Sequence, residues 1–182
     1  MAKVIRKKKK PRLVNELKCR PLRLKLYPDS ILREKASPVK TFNTVLKDFA
    51  NDMLFFMKQH DGIGLAAPQV GILQRIVVAD IGEGPICLVN PEIVVESGTE
   101  NMNEGCLSLP DYEVDVNRNK LIEIRGKNLE GKRIVFELDG LMARVLQHEV
   151  DHLNGILICD YGDLLPEIEG FQPVDKENKL DA

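Results

Sequence analysis

Gln147-His148-Glu149-Val150-Asp151-His152 is the stretch on which the reading of this chain turns. It lies in a helical segment that the pattern starts near Asp139, a residue type suited to an N-cap, and runs to about Leu153, with Asn154-Gly155 as its stop. Residues four apart on a helix stand one above the other, so the imidazoles of His148 and His152 can reach one cation. Glu149 follows about 100° further round, which sets its carboxylate beside such a cation rather than on it. That is the arrangement of a general base serving a metal-activated water. The plainer reading is a chance pattern on an ordinary amphipathic helix.

A metal site of this kind needs a third protein ligand. A second glycine-spaced histidine would fall at position 158, which holds Ile158; a following-helix glutamate would be Glu167 or Glu169, but Pro166 and the strand-like run Ile156–Cys159 speak against a helix there. A thiolate is the remaining candidate. Of Cys19, Cys87, Cys106 and Cys159, none forms a C-x-x-C pair, and no disulfide framework is read. Cys87 and Cys159 lie in continuous apolar runs, where cysteine serves as a small hydrophobe, and Cys19 lies in a basic N-terminal arm. Cys106 sits in Glu104-Gly105-Cys106-Leu107-Ser108-Leu109-Pro110, between glycine and proline bends. A third segment, Gly62-Ile63-Gly64-Leu65-Ala66-Ala67-Pro68-Gln69, has so little side-chain bulk that a substrate backbone could lie against it. Gln69 there brings an amide able to donate to an oxyanion. The alternative is a glycine-rich connector with a solvated glutamine.

The rest of the chain supplies the scaffold. Residues 42–60 form a first helix, with Phe42, Val45, Phe49, Met53 and Phe56 on one face and Gly62 placed to cap it. Leu24–Leu26 reads as a short strand entering a turn at Tyr27-Pro28-Asp29. Short β-like runs follow at 75–79, 86–89 (closed by Asn90-Pro91), 92–96, 121–125 and 133–136, with Asn128–Gly131 as a hairpin turn and Ile156–Cys159 as a further strand.

With 182 residues, one core is expected. There is no apolar run long enough to span a membrane and no signal peptide, which points to a bacterial-type cytoplasmic protein, an organelle being the other compartment left open. Trp is absent and aromatics are 5%, against a stacking platform for single strands; the net charge of −2 is against a DNA-binding protein. Charge is uneven: residues 1–25 carry +10, leaving −12 on the remainder. The expected organisation is a basic arm over residues 1–22, a catalytic domain over 23–165 and an acidic tail over 166–182.

The three motifs together, Gly62–Gln69, Glu104–Ser108 and Gln147–His152, resemble the peptide deformylase family, and the resemblance extends over about residues 24–162. It implies an α+β fold with antiparallel sheets wrapped around the helix that carries His148 and His152, which agrees with two helices among short strands. It also implies Cys106, His148 and His152 as metal ligands with water in the fourth place, and Glu149 as general base and then acid. Gln69 and the backbone N–H of Leu107 are implied as oxyanion donors. The native ion is expected to be Fe2+, with Zn2+, Ni2+ or Co2+ able to replace it. The implied reaction is hydrolysis of the formyl group from the formyl-methionine of a nascent polypeptide, with release of formate. The peptide would lie extended along Ile63-Gly64 and Gly105, its methionine entering a pocket with Leu141 and Val145. Arg144 matches a pocket-rim position that is often apolar; Arg118 matches an arginine that supports the site, the other reading being a surface strand charge. His60 reads as the cation at a helix C-terminus. The basic arm could contact ribosomal RNA, or be a solubilising extension. A zinc metalloprotease and a metal-holding protein without activity are the competing functions; release of formate from a formyl-Met peptide separates them.

Overall fold

The computed structural model describes residues 21–162, so the arm and the acidic tail lie almost wholly outside the described residues. The first helix, α1, spans Thr44–Gln59, and the second, α2, spans Gly140–Leu153. Seven strands complete the regular structure: β1 Gly64–Ala66, β2 Ile76–Ala79, β3 Ile86–Ser97, β4 Glu100–Cys106, β5 Leu109–Arg118, β6 Leu121–Lys127 and β7 Arg133–Asp139. Five of them form an antiparallel sheet in the order β1-β2-β3-β6-β7, and β4 pairs only with β5 in a separate hairpin. This is the expected α+β class. Among the described residues no helix is long and apolar enough to cross a membrane.

The sheet is covered on both faces where β2 runs, which explains why Ile76-Val77-Val78-Ala79 is apolar without alternation. Val77 and Ala79 point to α2, with Leu88, Ile122, Ile124, Ala143 and Leu146. Ile76 and Val78 point to α1, with Leu46, Phe49, Met53 and Met57. Successive side chains of a strand face opposite ways, so β2 divides itself between two cores. A third, smaller cluster joins Leu32, Leu109, Leu157 and Ile158.

Several sequence expectations need correction. The helix begins at Thr44, because the Asn43 side chain accepts from the Leu46 N–H at 3.0 Å and caps it. Its buried stripe is Leu46, Phe49, Ala50, Met53 and Met57, with Val45 and Phe56 on the flank. The left-handed residue after it is Asp61 (φ 55°), not Gly62. Residues 86–89 and 92–96 are one strand, since Asn90-Pro91 sits at a bulge where the register breaks between Val89 and Glu92. The Asn90 side chain bonds both backbone groups of Val39 there. Leu24–Leu26 forms no strand; Lys25 N–H donates to Gln69 O and Tyr27 N–H to Ser108 O. Ile156–Cys159 is not a strand either. Gly155 turns the chain at φ 75°, in a place where a Cβ would strike the Arg33 carbonyl, and Ile158–Asp160 is a 3-10 turn closed by Asp160 on the Leu157 N–H at 2.9 Å. Asp139 does occupy the N-cap of α2, without a side-chain capping bond. The Asn128–Gly131 hairpin turn is as expected, the Asn128 side chain accepting from Glu130 and Lys132 N–H.

Candidate active site

β4 ends at Cys106, where its pairing with β5 slips between Gly105 and Cys106. The slip turns the thiol out of the ladder toward α2, one turn of which carries His148, Glu149 and His152. Cys106 Sγ lies 3.2 Å from His152 Nε2, and His152 Nε2 lies 3.1 Å from His148 Nε2. One ligand atom from each of the three residues falls within 4.8 Å of the others.

The hydrogen-bond pattern decides what this triangle is suited to hold. Although burial works against it, hydrogen bonds to Cys106 and Glu104 push His148 up to about 10, so its ring is charged with no cation beside it. Beside a cation the one remaining proton belongs on Nδ1, which faces Glu104 Oε2 at 3.1 Å, and the Nε2 lone pair faces inward. Three electron-pair donors then converge on one point, and a single shared proton cannot satisfy all of them. A small cation can. Tetrahedral coordination at about 2.1 Å for nitrogen and 2.3 Å for sulfur separates ligand atoms by roughly 3.4 to 3.6 Å, near the observed spacing. One sulfur with two imidazoles suits first-row divalent ions softer than Mg2+ or Ca2+.

The surroundings are charged and mostly buried. Although burial works against it, hydrogen bonds from His148 and Arg118 hold the Glu104 carboxyl down at about 2. Arg118 reaches Glu104 with Nε at 2.7 Å and Nη2 at 3.0 Å, and Asp151 with Nη1 at 2.8 Å. It is buried, which excludes the surface-charge reading. Burial, and then the charge of His148, push His152 well below its usual value. Burial pushes the Glu149 carboxyl up to about 7; a cation beside it pulls the opposite way. Glu149 Oε2 and His152 Nδ1 are buried with no hydrogen-bond partner among the described residues.

Gln69 stands in the 3-10 turn Ala67–Val70. Its Oε1 accepts from the Ala66 N–H at 2.7 Å, so its amide nitrogen points to Cys106 Sγ (3.7 Å) and Ser108 Oγ (3.3 Å). The solvated-connector reading is therefore wrong: Gln69 is buried and oriented. A cavity of about 450 Å³ opens over these groups. Ile63, Gly64, Gly105, Leu107, Leu141 and Val145 all line it, with Leu141 45% exposed at its mouth and Val145 buried inside. A Cβ on Gly64 would strike Glu149 Oε1 and approach Val145 Cγ1 to 2.7 Å, so the carboxylate fits only because this residue is glycine.

Other positions fall outside the cluster. His60 caps α1, its ring stacked on Phe56 at 4.1 Å. Burial pushes the Cys87 thiol up to about 11 and also raises that of Cys159, so neither is an activated nucleophile. Ile158 is core, and Glu167 and Glu169 lie outside the described residues. Arg144 lines the cavity, as the rim reading expected, but at 5% exposure its guanidinium is turned inward and bonded to Glu104 at 2.6 Å. Sequence reasoning gave no role to Glu104 beyond its motif, to Asp151 or to Ser108. An alternative signal existed for Glu104 only in its fixed place two residues before Cys106.

Comparison with known proteins gives the same picture. The family model described as polypeptide deformylase matches residues 21–165. Peptide deformylase of Thermotoga sp. (strain RQ2) is 47% identical over 139 residues, covering 76% of this chain and 85% of that protein. Peptide deformylase 1 of Clostridium acetobutylicum is 45% identical over 147 residues, 81% of this chain and 96% of that one. The crystal structure of peptide deformylase from Thermotoga maritima superposes with a TM-score of 0.77 at 44% identity, over 81% of this chain and all of that one. The deformylase of Synechococcus elongatus, solved in complex with actinonin, gives 0.75 at 41% identity, over 78% of this chain and 80% of that one. The chain thus belongs to the polypeptide deformylase family, metal-dependent hydrolases that remove the formyl group from the N-terminal formylmethionine of nascent polypeptides.

Proposed function

We propose that Cys106, His148 and His152 hold the catalytic cation, with Glu149 as general base and acid and with Gln69 and the Leu107 N–H as oxyanion donors. The observation that carries this reading is the convergence of one sulfur and two Nε2 atoms, at 3.1–3.2 Å, next to a buried carboxylate oxygen without a partner. A divalent cation held there supplies Lewis acidity to a water and to the formyl oxygen. Glu149 takes the proton from the attacking water at the oxygen that faces the cavity. As the new C–O bond forms on the formyl carbon, the developing oxyanion is met by the Gln69 amide, already aimed by the Ala66 N–H. Glu149 then delivers its proton to the amine nitrogen, the C–N bond breaks and formate leaves.

The peptide lies extended between Ile63-Gly64 and Gly105, with its methionine against Leu141 and Val145. The open apolar surfaces of Ile63 and Leu141 beside the buried acid support this placement. Fe2+ is the native ion in this reading, with Zn2+, Ni2+ or Co2+ able to substitute; the mixed sulfur and nitrogen donor set favours these over hard cations. The enzyme works in the cytoplasm of a bacterial-type cell. Residues 23–165 form the catalytic domain between the basic arm 1–22 and the acidic tail 166–182, and the arm holds ribosomal RNA through phosphate contacts. Loss of ribosome co-sedimentation at low salt on deletion of residues 1–20 supports the arm's role, and unchanged co-sedimentation removes it. For the site, formate release from a formyl-Met peptide is the assay: Glu149→Ala is expected to keep the metal and lose the activity, and surviving formate release would refute the assignment.

A further inference from the structure

The two walls of the cleft come from parts of the fold that share no sheet. α2 supplies His148, Glu149 and His152, whereas Cys106 arrives on the β4–β5 hairpin, which has no ladder to the five-stranded sheet. Side chains make the joint instead: Arg118 of β5 reaches Asp151, His148 faces Glu104, and Arg144 adds three bonds of its own. Its Nη1 donates to Glu104 Oε1 at 2.6 Å and to Val116 O at 2.9 Å, and its Nη2 donates to Glu100 O at 2.6 Å. The acceptors lie on both strands of the hairpin, two on β4 and one on β5. Arg144 stands one helical turn before His148, and its carboxylate partner also bonds His148 Nδ1 while preceding Cys106 by two residues.

We propose that Arg144 is a positioning residue that sets the separation between the strand bearing Cys106 and the helical turn bearing His148 and His152, and through it the fit of their cradle around a cation. The inference rests on the reading of those three residues as the cradle. A guanidinium is suited to this because its rigid fork directs donors along several fixed lines, where an ammonium is a point charge on a flexible stem. Arg118 also bonds Glu104, so the buried carboxylate keeps a partner when Arg144 is replaced.

The test compares Arg144→Met, Arg144→Lys and Met53→Ala with the unsubstituted full chain, all loaded with Co2+. Met53 is fully buried on α1, packed with Ile76 and Val78 of β2, and does not line the cleft, so its truncation reports lost stability alone. The rate of cobalt loss to a chelator and the thiolate-to-cobalt absorption band are read beside the melting temperature. Both Arg144 variants are expected to release cobalt about tenfold faster or more, with a weakened or shifted band. Met53→Ala is expected to melt lower with rate and band unchanged. Equal rates and bands for Arg144→Met and the unsubstituted chain would overturn the proposal, as would a Met53→Ala effect of the same size. Full restoration by Arg144→Lys would also overturn it, because charge and not the fork would then suffice. Failure of the cradle itself looks different: a cobalt band in the unsubstituted chain that survives Cys106→Ala.

Discussion

The two helices flank the same sheet and differ in what they bury. α1, sixteen residues long, buries five, all of them apolar: Leu46, Phe49, Ala50, Met53 and Met57. α2 has fourteen residues and buries ten, among them Arg144, Gln147, Glu149 and His152. Burying polar groups costs free energy unless each finds a partner. α1 contains none to satisfy, so it acts as a wall. α2 satisfies most of its own across to other elements: Arg144 to β4 and β5, Gln147 to the backbone of Asn119, His148 to Glu104. What is left without a partner among the described residues, Glu149 Oε2 and His152 Nδ1, sits at the chemistry. The contrast separates stability from activity and can be attacked from either helix.

The largest effect is expected on α2. Glu149→Ala should lower kcat/KM for a formyl-Met peptide by about 10³-fold or more, roughly 4 kcal/mol of transition-state stabilisation. Its melting temperature should hold or rise, since a buried oxygen without a partner is removed; a large stability loss with activity retained would reverse the contrast. Next is Glu104→Gln, which leaves Arg118 and Arg144 facing each other without the carboxylate between them. It should cost about 3 kcal/mol in urea unfolding and weaken metal retention about tenfold, the one substitution expected to move both quantities. On the α1 side, Met53→Ala should cost about 2 to 3 kcal/mol through the cavity it opens, with kcat and KM unchanged in the protein that remains folded. Smallest is Asn43→Ala, which removes the side-chain bond to the Leu46 N–H and should cost about 1 kcal/mol, again with unaltered kinetics.

The same contrast explains how far the sequence could be read. An amphipathic helix over solvent announces itself by its period, so α1 was legible apart from a rotation of its stripe by one position. On α2 the paired histidines were legible because their spacing is local. The partners of that helix were not. Glu104 lies 40 residues from Arg144 and 44 from His148, and Arg118 lies 33 from Asp151, distances at which a sequence alone offers no pairing rule. Strands β4 and β5 escaped notice for a related reason. Glu100-Asn101-Met102-Asn103-Glu104 exposes most of its side chains, so no apolar run marks it, although Tyr112, Val114 and Val116 on β5 do alternate with exposed polar residues. Asn90-Pro91 read as a stop because proline ordinarily ends a ladder, and here a bulge accommodates it. Ile156–Cys159 has strand composition but pairs with no strand among the described residues; it follows the turn at Gly155 and packs, as a 3-10 turn from Ile158, in the cluster with Leu32 and Leu109.

Everything assigned to α2 depends on a thiol from β4 and two imidazoles sharing one ion. X-ray absorption at the metal edge of the purified chain measures that directly. The expected shell holds one sulfur at about 2.3 Å with nitrogen or oxygen neighbours at about 2.1 Å, and loses the sulfur in Cys106→Ala but not in Cys87→Ala. A shell without sulfur in the unsubstituted protein, or one that keeps its sulfur when Cys106 is gone, would contradict the account.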